Sequence, residues 1–372
     1  MSDVTLPPFS RAVVVRRFCD PVAVEPVPVP DTVEPGALLV RMRACSICGT
    51  DVHFWQGELA RKPSLPTILG HEMVGRIVRI GAGAERDSIG QPLATGDRVV
   101  WTHTNCDSCW YCTVAMQPML CTNRRVYMHQ SIEKPPYLLG GFSEYGYVLP
   151  ESGRVRVPDE VSDAVASLSS CALRSVMEAF DNLGEVRSHE HVAVQGAGPL
   201  GILAAAVARM AGARTVSVIG APDSRLVLAR DFGATHVFSI ADTNHSDRLK
   251  ALRDMTEGRG PDIVIEFTGH PPAFVEGLEL VRPGGRYLTG GQLGEGQTTF
   301  SPSLIVRKGL RVIGTLSGGA RAYWRALQFV VAHQDRIPFE SMITGRYTLD
   351  EAPVALERMR RLEEMKPLIT FD

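Results

Sequence analysis

The rhythm of apolar and polar positions changes twice along the chain. In the first part, Ala12-Val13-Val14-Val15 and the runs 37–42, 74–80 and 97–101 are short and apolar, with Gly and Pro punctuating them. That texture predicts short strands in a β-rich domain. From about residue 165 the pattern alternates. Apolar runs such as His191-Val192-Ala193-Val194-Gln195 are followed by alanine-rich stretches such as 200–211, the signature of a parallel sheet flanked by helices. After about residue 310 short strands return, and a charged helix is predicted from Leu349 to Met365. The simplest account is an α/β unit, residues 166–310, inserted in a discontinuous β-rich domain made of residues 1–165 and 311–372. The Pro-rich stretch from Pro21 to Pro35 reads as extended segments and turns rather than a linker.

Composition narrows the function. A net charge of −2 recommends neither nucleic acid nor an anionic membrane as partner, and no apolar run is long enough to span a bilayer. Met1-Ser2-Asp3-Val4 leads into Pro7-Pro8 without an apolar leader. Eight cysteines among 372 residues are too few for a disulfide framework in a chain able to build a real core, so a reducing, cytoplasmic setting is expected.

Cys106, Cys109, Cys112 and Cys121 fall within sixteen residues. Short Cys-x-x-Cys loops bring thiolates to a common centre with little strain, and four of them enclose a tetrahedral ion completely. Cys48, His71 and Cys171 are scattered, offer three ligands and leave a fourth position open. A closed site holds structure, whereas an open one accepts a substrate oxygen. Each residue alone has a duller reading, as a buried histidine or a small core cysteine, and the case rests on their joint occurrence. Cys19 and Cys45 are read as small buried hydrophobes.

The α/β unit opens with Gly196-Ala197-Gly198-Pro199-Leu200-Gly201, directly after a strand and before a helix. In a βαβ context Gly196 makes the tight turn, Gly198 admits a pyrophosphate, Gly201 allows close packing, and the helix N-terminus faces the anion. A glycine-rich turn without a ligand is the alternative. The next strand, beginning at Thr215, argues against it. Gly269 and Gly290-Gly291 mark later strand ends where such sheets bind ligands.

Cys48-Gly49-Thr50-Asp51, Gly70-His71-Glu72, the four-cysteine lobe (103–124), the run 140–145, the Gly196 fingerprint and Lys366-Pro367-Leu368-Ile369 arrive in an order that resembles the zinc-dependent alcohol dehydrogenases of the medium-chain dehydrogenase/reductase superfamily, over nearly the whole length. The resemblance implies a Rossmann doubly wound sheet inserted in a GroES-like catalytic domain, with two Zn2+ per subunit and NAD(P) as cofactor. It assigns Cys48, His71 and Cys171 to a catalytic zinc and the lobe cysteines to a structural one. That Cys₂His set is a known alcohol dehydrogenase pattern. Thr50 and His53 resemble the proton relay, which in the family runs through the ribose. Asp51 resembles the carboxylate that orients the zinc-bound imidazole, and Glu72 lies close behind the metal. Lys366 joins the cofactor-binding set. The gap between Cys112 and Cys121 is one residue longer than usual, which should deform the loop without costing the zinc.

The implied reaction is hydride transfer between NAD(P) and a primary or secondary alcohol, giving aldehyde or ketone. Phe54, Trp55, Trp101-Thr102-His103 and part of the loop 127–139 are expected to face the substrate, an apolar lining suited to an alicyclic or aromatic alcohol or a long primary one. Polyol oxidation is the alternative, lowered by cysteine at 171 where polyol dehydrogenases usually have glutamate. A zinc-free quinone or enone reductase and a non-catalytic zinc protein are both disfavoured by the intact ligand set. The stretch Arg86 to Leu93 resembles an insertion of a bacterial subgroup. For the nucleotide, Gly220 stands where NAD sites usually carry an acid. Arg225 and Ser224 could meet a 2′-phosphate, while Asp223 could restore a ribose contact, so both cofactors stay open. The resemblance implies a homodimer or homotetramer joined through sheet edges, with a late strand near Leu304-Ile305-Val306 as the contact.

Overall fold

The computed structural model describes residues 6–59, 63–291 and 296–371, so the opening Met1–Val4 lies outside it. The chain forms two compact units, one comprising residues 1–174, 318–333 and 342–372, the other 175–317 and 334–341. The boundaries thus fall at 174/175 and 317/318 rather than at 165/166 and 310/311. The later crossing has a simple cause: residues 311–314 form a strand that pairs with 286–289 and closes the parallel sheet.

The first unit is built on antiparallel strands: β1 (Phe9–Val15), β2 (Ala23–Pro28), β3 (Leu38–Ser46), β4 (Thr67–Ile68), β5 (Met73–Ile80), β6 (Arg98–Thr104), β7 (Tyr145–Val148) and β8 (Ser152–Arg156). β1 lies between β2 and β4 in a small sheet. The larger sheet also recruits β15 (Gly345–Tyr347) and β16 (Pro367–Thr370), in the order β15-β16-β3-β5-β6-β8 with β7 on β3. Alternation packs Leu38, Val40, Met42, Val99 and Trp101 into the core, all at most 1% exposed. Trp101 stacks edge-on against Tyr127, and Phe54 packs against Phe18 and His129. Phe54 and Trp101 are therefore core residues, 1% exposed each, and not the open pocket lining expected of them. Their aromatic area is spent holding the sheet.

The second unit is a six-stranded parallel sheet, β9 (His191–Gln195), β10 (Thr215–Gly220), β11 (His236–Ser239), β12 (Ile263–Glu266), β13 (Arg286–Thr289) and β14 (Arg311–Gly314). The order β11-β10-β9-β12-β13-β14 is doubly wound, with its topological switch between β9 and β12. Continuous apolar runs suit these strands, since helices such as Pro199–Met210 cover the sheet.

Three local expectations are corrected. Residues 304–306 belong to a helix, Ser303–Lys308, because Pro302 starts it and Gly309, left-handed at φ 58, ends it. The late charged helix is shorter, Ala352–Arg360. The Thr348–Glu351 capping box winds a 3₁₀ turn before it, and Leu362 at φ 61 cannot continue it. Cys45 is buried, but Cys19 is exposed. No helix among the described residues is long and apolar enough to cross a membrane.

Candidate metal centres and dinucleotide site

Both cysteine groups are assembled. Cys106, Cys109, Cys112 and Cys121 gather their sulfurs within 4.8 Å of one another. The separations are 3.5 Å for Cys109–Cys112, 3.6 Å for Cys106–Cys121 and 3.9 Å for Cys109–Cys121. A tetrahedral zinc with bonds of about 2.3 Å places its sulfurs about 3.8 Å apart, whereas a disulfide needs about 2.05 Å, so the cluster fits a metal. Charge is prepared locally. The Ser108 hydroxyl, its N–H and the Asn123 amide pull the Cys106 thiol down to about 5. Burial and neighbouring sulfurs push Cys112 up to about 12. The helix Trp110–Thr113 and the turn Pro118–Leu120 carry the long Cys112–Cys121 loop without opening the group.

The second group joins Cys48, His71, Glu72 and Cys171, again within 4.8 Å. Cys171 Sγ lies 3.6 Å from His71 Nε2, an edge that suits a zinc with one sulfur and one nitrogen ligand. Cys48 precedes the helix Gly49–Trp55, His71 opens the approach to β5, and Cys171 sits in a π-helical turn, Ser169–Leu173. One carboxylate joins the first two. Asp51, fully buried, accepts from the Cys48 N–H (2.8 Å) with one oxygen, and from the Gly70 N–H (3.2 Å) and His71 Nδ1 (3.1 Å) with the other. Nδ1 as donor leaves Nε2 as the ligand lone pair.

Glu72 is also fully buried, and its partner is Lys366, 2.5 Å away and 1% exposed. Burial pushes the Glu72 carboxyl up to about 7, with the Lys366 ammonium opposing the rise. The structure thus puts Lys366, which the resemblance gives to the cofactor, behind the metal group. Cys48 is pushed up to about 11, chiefly by its hydrogen bond to Cys171 and then by burial, while that same bond holds Cys171 well below its usual value.

Thr50 Oγ1 lies 3.7 Å from Cys48 Sγ. His53 is exposed and pairs with Glu58 at 2.6 Å. His103 accepts the Tyr127 N–H at Nδ1, and burial, aided by Arg124 and Arg174, holds it well below 6.5, a neutral acceptor.

In the second unit the turn after β9 has the shape of a phosphate cradle. A Cβ on Gly201 would stand 1.9 Å from the Gly196 carbonyl oxygen, so only glycine lets the helix start there. Gly198, the N-cap, has open space before it, and Pro199 and Leu200 form the first turn of the twelve-residue helix. That open, N–H-lined start fits a pyrophosphate. At Gly220 a Cβ would lie 2.7 Å from the Ala197 nitrogen, so the turn itself fills the place of an acidic side chain. Asp223 and Arg225 lie in the first turn of the helix Asp223–Asp231, Asp223 exposed and Arg225 half-buried.

Zinc at the two sites should differ in lability. A chelator series should strip the Cys₂His site first and the lobe second, and uptake at both should weaken as pH falls, because protons compete for the thiolates. Asp51→Asn should weaken the first site about 10–100-fold while leaving the lobe intact. Zinc analysis by mass spectrometry checks this; simultaneous loss from both sites would contradict it.

Comparison with known proteins follows the same division. A model described as "Alcohol dehydrogenase GroES-like domain" matches residues 34–159, and one described as "Zinc-binding dehydrogenase" matches 199–332. 5-exo-hydroxycamphor dehydrogenase from Pseudomonas putida is 35% identical over 90% of this chain and 92% of its own. L-threonine 3-dehydrogenase from Escherichia coli is 32% identical over 93% and 95%. A putative zinc-binding dehydrogenase from Sinorhizobium meliloti, solved bound to NADP, superimposes with a TM-score of 0.84 at 29% identity, covering 98% of this chain and 99% of that one. The chain belongs to the zinc-dependent alcohol dehydrogenases of the medium-chain dehydrogenase/reductase superfamily.

Proposed function

We propose that the protein oxidises an alicyclic secondary alcohol to its ketone, or reduces the ketone, with NAD(P). The observation that carries this is the Cys48–His71–Cys171 group, half-buried at Cys48 and buried at the other two, oriented by Asp51, in a chain 35% identical to a 5-exo-hydroxycamphor dehydrogenase. Zinc held there supplies a Lewis acid for the alcohol oxygen. The chain's own residues do the rest. Asp51 fixes the tautomer of His71, and Lys366 offsets the charge of Glu72 beside three anionic or polar ligands. The Thr50 hydroxyl would accept the alcohol's proton only as it gives up its own, and His53, open to solvent and paired with Glu58, would be the outlet by which that proton reaches water. Free thiolate clusters of this kind suit a reducing compartment such as the cytoplasm.

The threonine dehydrogenase likeness favours a second reading, a polar amino alcohol as substrate. A panel of cyclic secondary alcohols, L-threonine, aliphatic alcohols and sugar alcohols separates the two. The highest kcat/KM is expected on a cyclic secondary alcohol, and best turnover on L-threonine or sorbitol-like polyols would overturn the alicyclic assignment.

For the cofactor we infer NAD(P) with tolerance of NADP, because no acid fits at Gly220 and Arg225 stands in the adjoining first turn. Arg225→Ala should lower kcat/KM with NADP by about tenfold, the scale of one charge-assisted hydrogen bond, and leave NAD nearly unchanged. A strong NAD preference untouched by the substitution would show that Asp223 holds the ribose instead.

We also propose a homodimer or homotetramer. One of the two sheet edges is β14, and Val306, Val312 and Leu316 around it are exposed at 78%, 38% and 44%. Sedimentation velocity should give a dimer or larger at micromolar protein, whereas a stable monomer would refute the proposal.

A further inference from the structure

Glu266 ends β12 on the side of the sheet where ligands bind, next to the topological switch. It is fully buried, and its side-chain hydrogen bonds among the described residues go to Thr268, Gly269 and Thr289 rather than to the metal or fingerprint sets. Four donors converge on its carboxylate. Oε1 accepts from the Thr268 N–H (2.7 Å), the Thr268 hydroxyl (2.7 Å) and the Gly269 N–H (3.0 Å). Oε2 accepts from the Thr289 hydroxyl (2.9 Å) at the end of β13. The Glu266 backbone carbonyl receives the N–H groups of Gly290 (3.1 Å) and Gly291 (3.3 Å). One residue therefore ties the turn after β12 to the segment after β13. The two backbones are so close that a Cβ on Gly291 would stand 2.6 Å from the Gly269 nitrogen. The same turn reaches the fingerprint, since a Cβ on Gly196 would lie 3.0 Å from the Phe267 carbonyl.

A buried carboxylate whose partners among the described residues are uncharged is costly, and a fold that needed only a hydrogen-bonded corner could use a neutral side chain. What a carboxylate offers is two acceptor oxygens and no donor. A glutamine carbonyl can still serve the three donors at Oε1, but its NH₂ then faces the Thr289 hydroxyl, which must turn to accept and leaves its own hydrogen without the carboxylate oxygen. In a doubly wound sheet the first half, β9 to β11, takes the adenosine side of a dinucleotide and the second half, β12 to β14, takes the other mononucleotide. The segments that Glu266 ties belong to the second half.

We propose that Glu266 is a positioning residue for the nicotinamide side of NAD(P), fixing the 267–269 turn against residues 290–291 before the cofactor arrives. The inference rests on the NAD(P) reading above. Pre-organised loops bind without a further ordering cost, so loosening them should weaken the whole dinucleotide but not a fragment confined to the adenosine side.

The test uses the full-length, zinc-loaded protein. NADH and NADPH are titrated by fluorescence, and AMP and 2′,5′-ADP by calorimetry, into the parent, Glu266→Gln and Thr289→Val. Glu266→Gln should weaken the better of the two reduced cofactors by about tenfold, as expected for a buried donor left unpaired. The better adenosine fragment should bind within about twofold of the parent, a change too small to count as one lost bond. Thr289→Val, which removes a single donor, should show the same pattern at smaller size and covers the case in which Glu266→Gln fails to fold. Equal loss of dinucleotide and fragment, or no loss of either, would overturn the clamp. A parent that binds neither NADH nor NADPH would instead overturn the cofactor reading on which it rests.

Discussion

The first unit depends on one buried carboxylate. Asp51 is an acid fully removed from bulk solvent, and it persists because three donors from two separate segments meet it. Its bond to the Cys48 N–H starts the helix Gly49–Trp55 and sets the direction of the first sulfur. Its other oxygen holds the Gly70 N–H and the His71 ring. Two ligands that are twenty-three residues apart in the chain are thereby held at a separation a metal can bridge before any metal arrives. Glu72 and Lys366 extend the arrangement. A second buried acid so close to two cysteine sulfurs is costly without a cation, and Lys366, immediately before β16, brings one from the far end of the chain.

The second unit solves a different problem by the same means. Its first turn leaves the helix N-terminus open while packing that helix against a strand. Glycine at 198 and 201 makes both compatible, and glycine at 220 lets the turn lie against β10 with no side chain between. Buried charge again sits at the functional end of the sheet. Glu266 there is balanced by hydrogen bonds alone, whereas Glu72 is balanced by an ammonium.

Much of this is legible in the sequence because it is local. The four-cysteine lobe, the fingerprint between a strand and a helix, and the alternating texture of the α/β unit are all carried by near neighbours, and fold class and family follow from them. Features set by distant contacts are not legible. Lys366 meets Glu72 across 294 positions, so its role behind the metal has no sequence signal beyond its place before Pro367. Phe54 and Trp101 read as pocket aromatics, yet the same residue types fill cores, and here they do. Leu304-Ile305-Val306 has a strand-like composition, but a three-residue apolar run cannot choose its own period, and Pro302 and Gly309 choose a helix for it. Glu266 lies outside the pattern by which such sheets are usually read, the acid at the end of the second strand, which this chain replaces with Gly220. The signal for it in the sequence is an acid at a strand end followed by Phe267-Thr268-Gly269.

The central claim is that the Cys₂His group, and not the four-cysteine lobe, is where turnover happens. Measuring zinc content, thermal stability and turnover together for Cys48→Ala and Cys109→Ala tests it most directly. The account predicts that Cys48→Ala loses one of two zincs and all turnover above background while unfolding near the parent temperature, and that Cys109→Ala chiefly loses stability or assembly. Normal turnover by Cys48→Ala would contradict it.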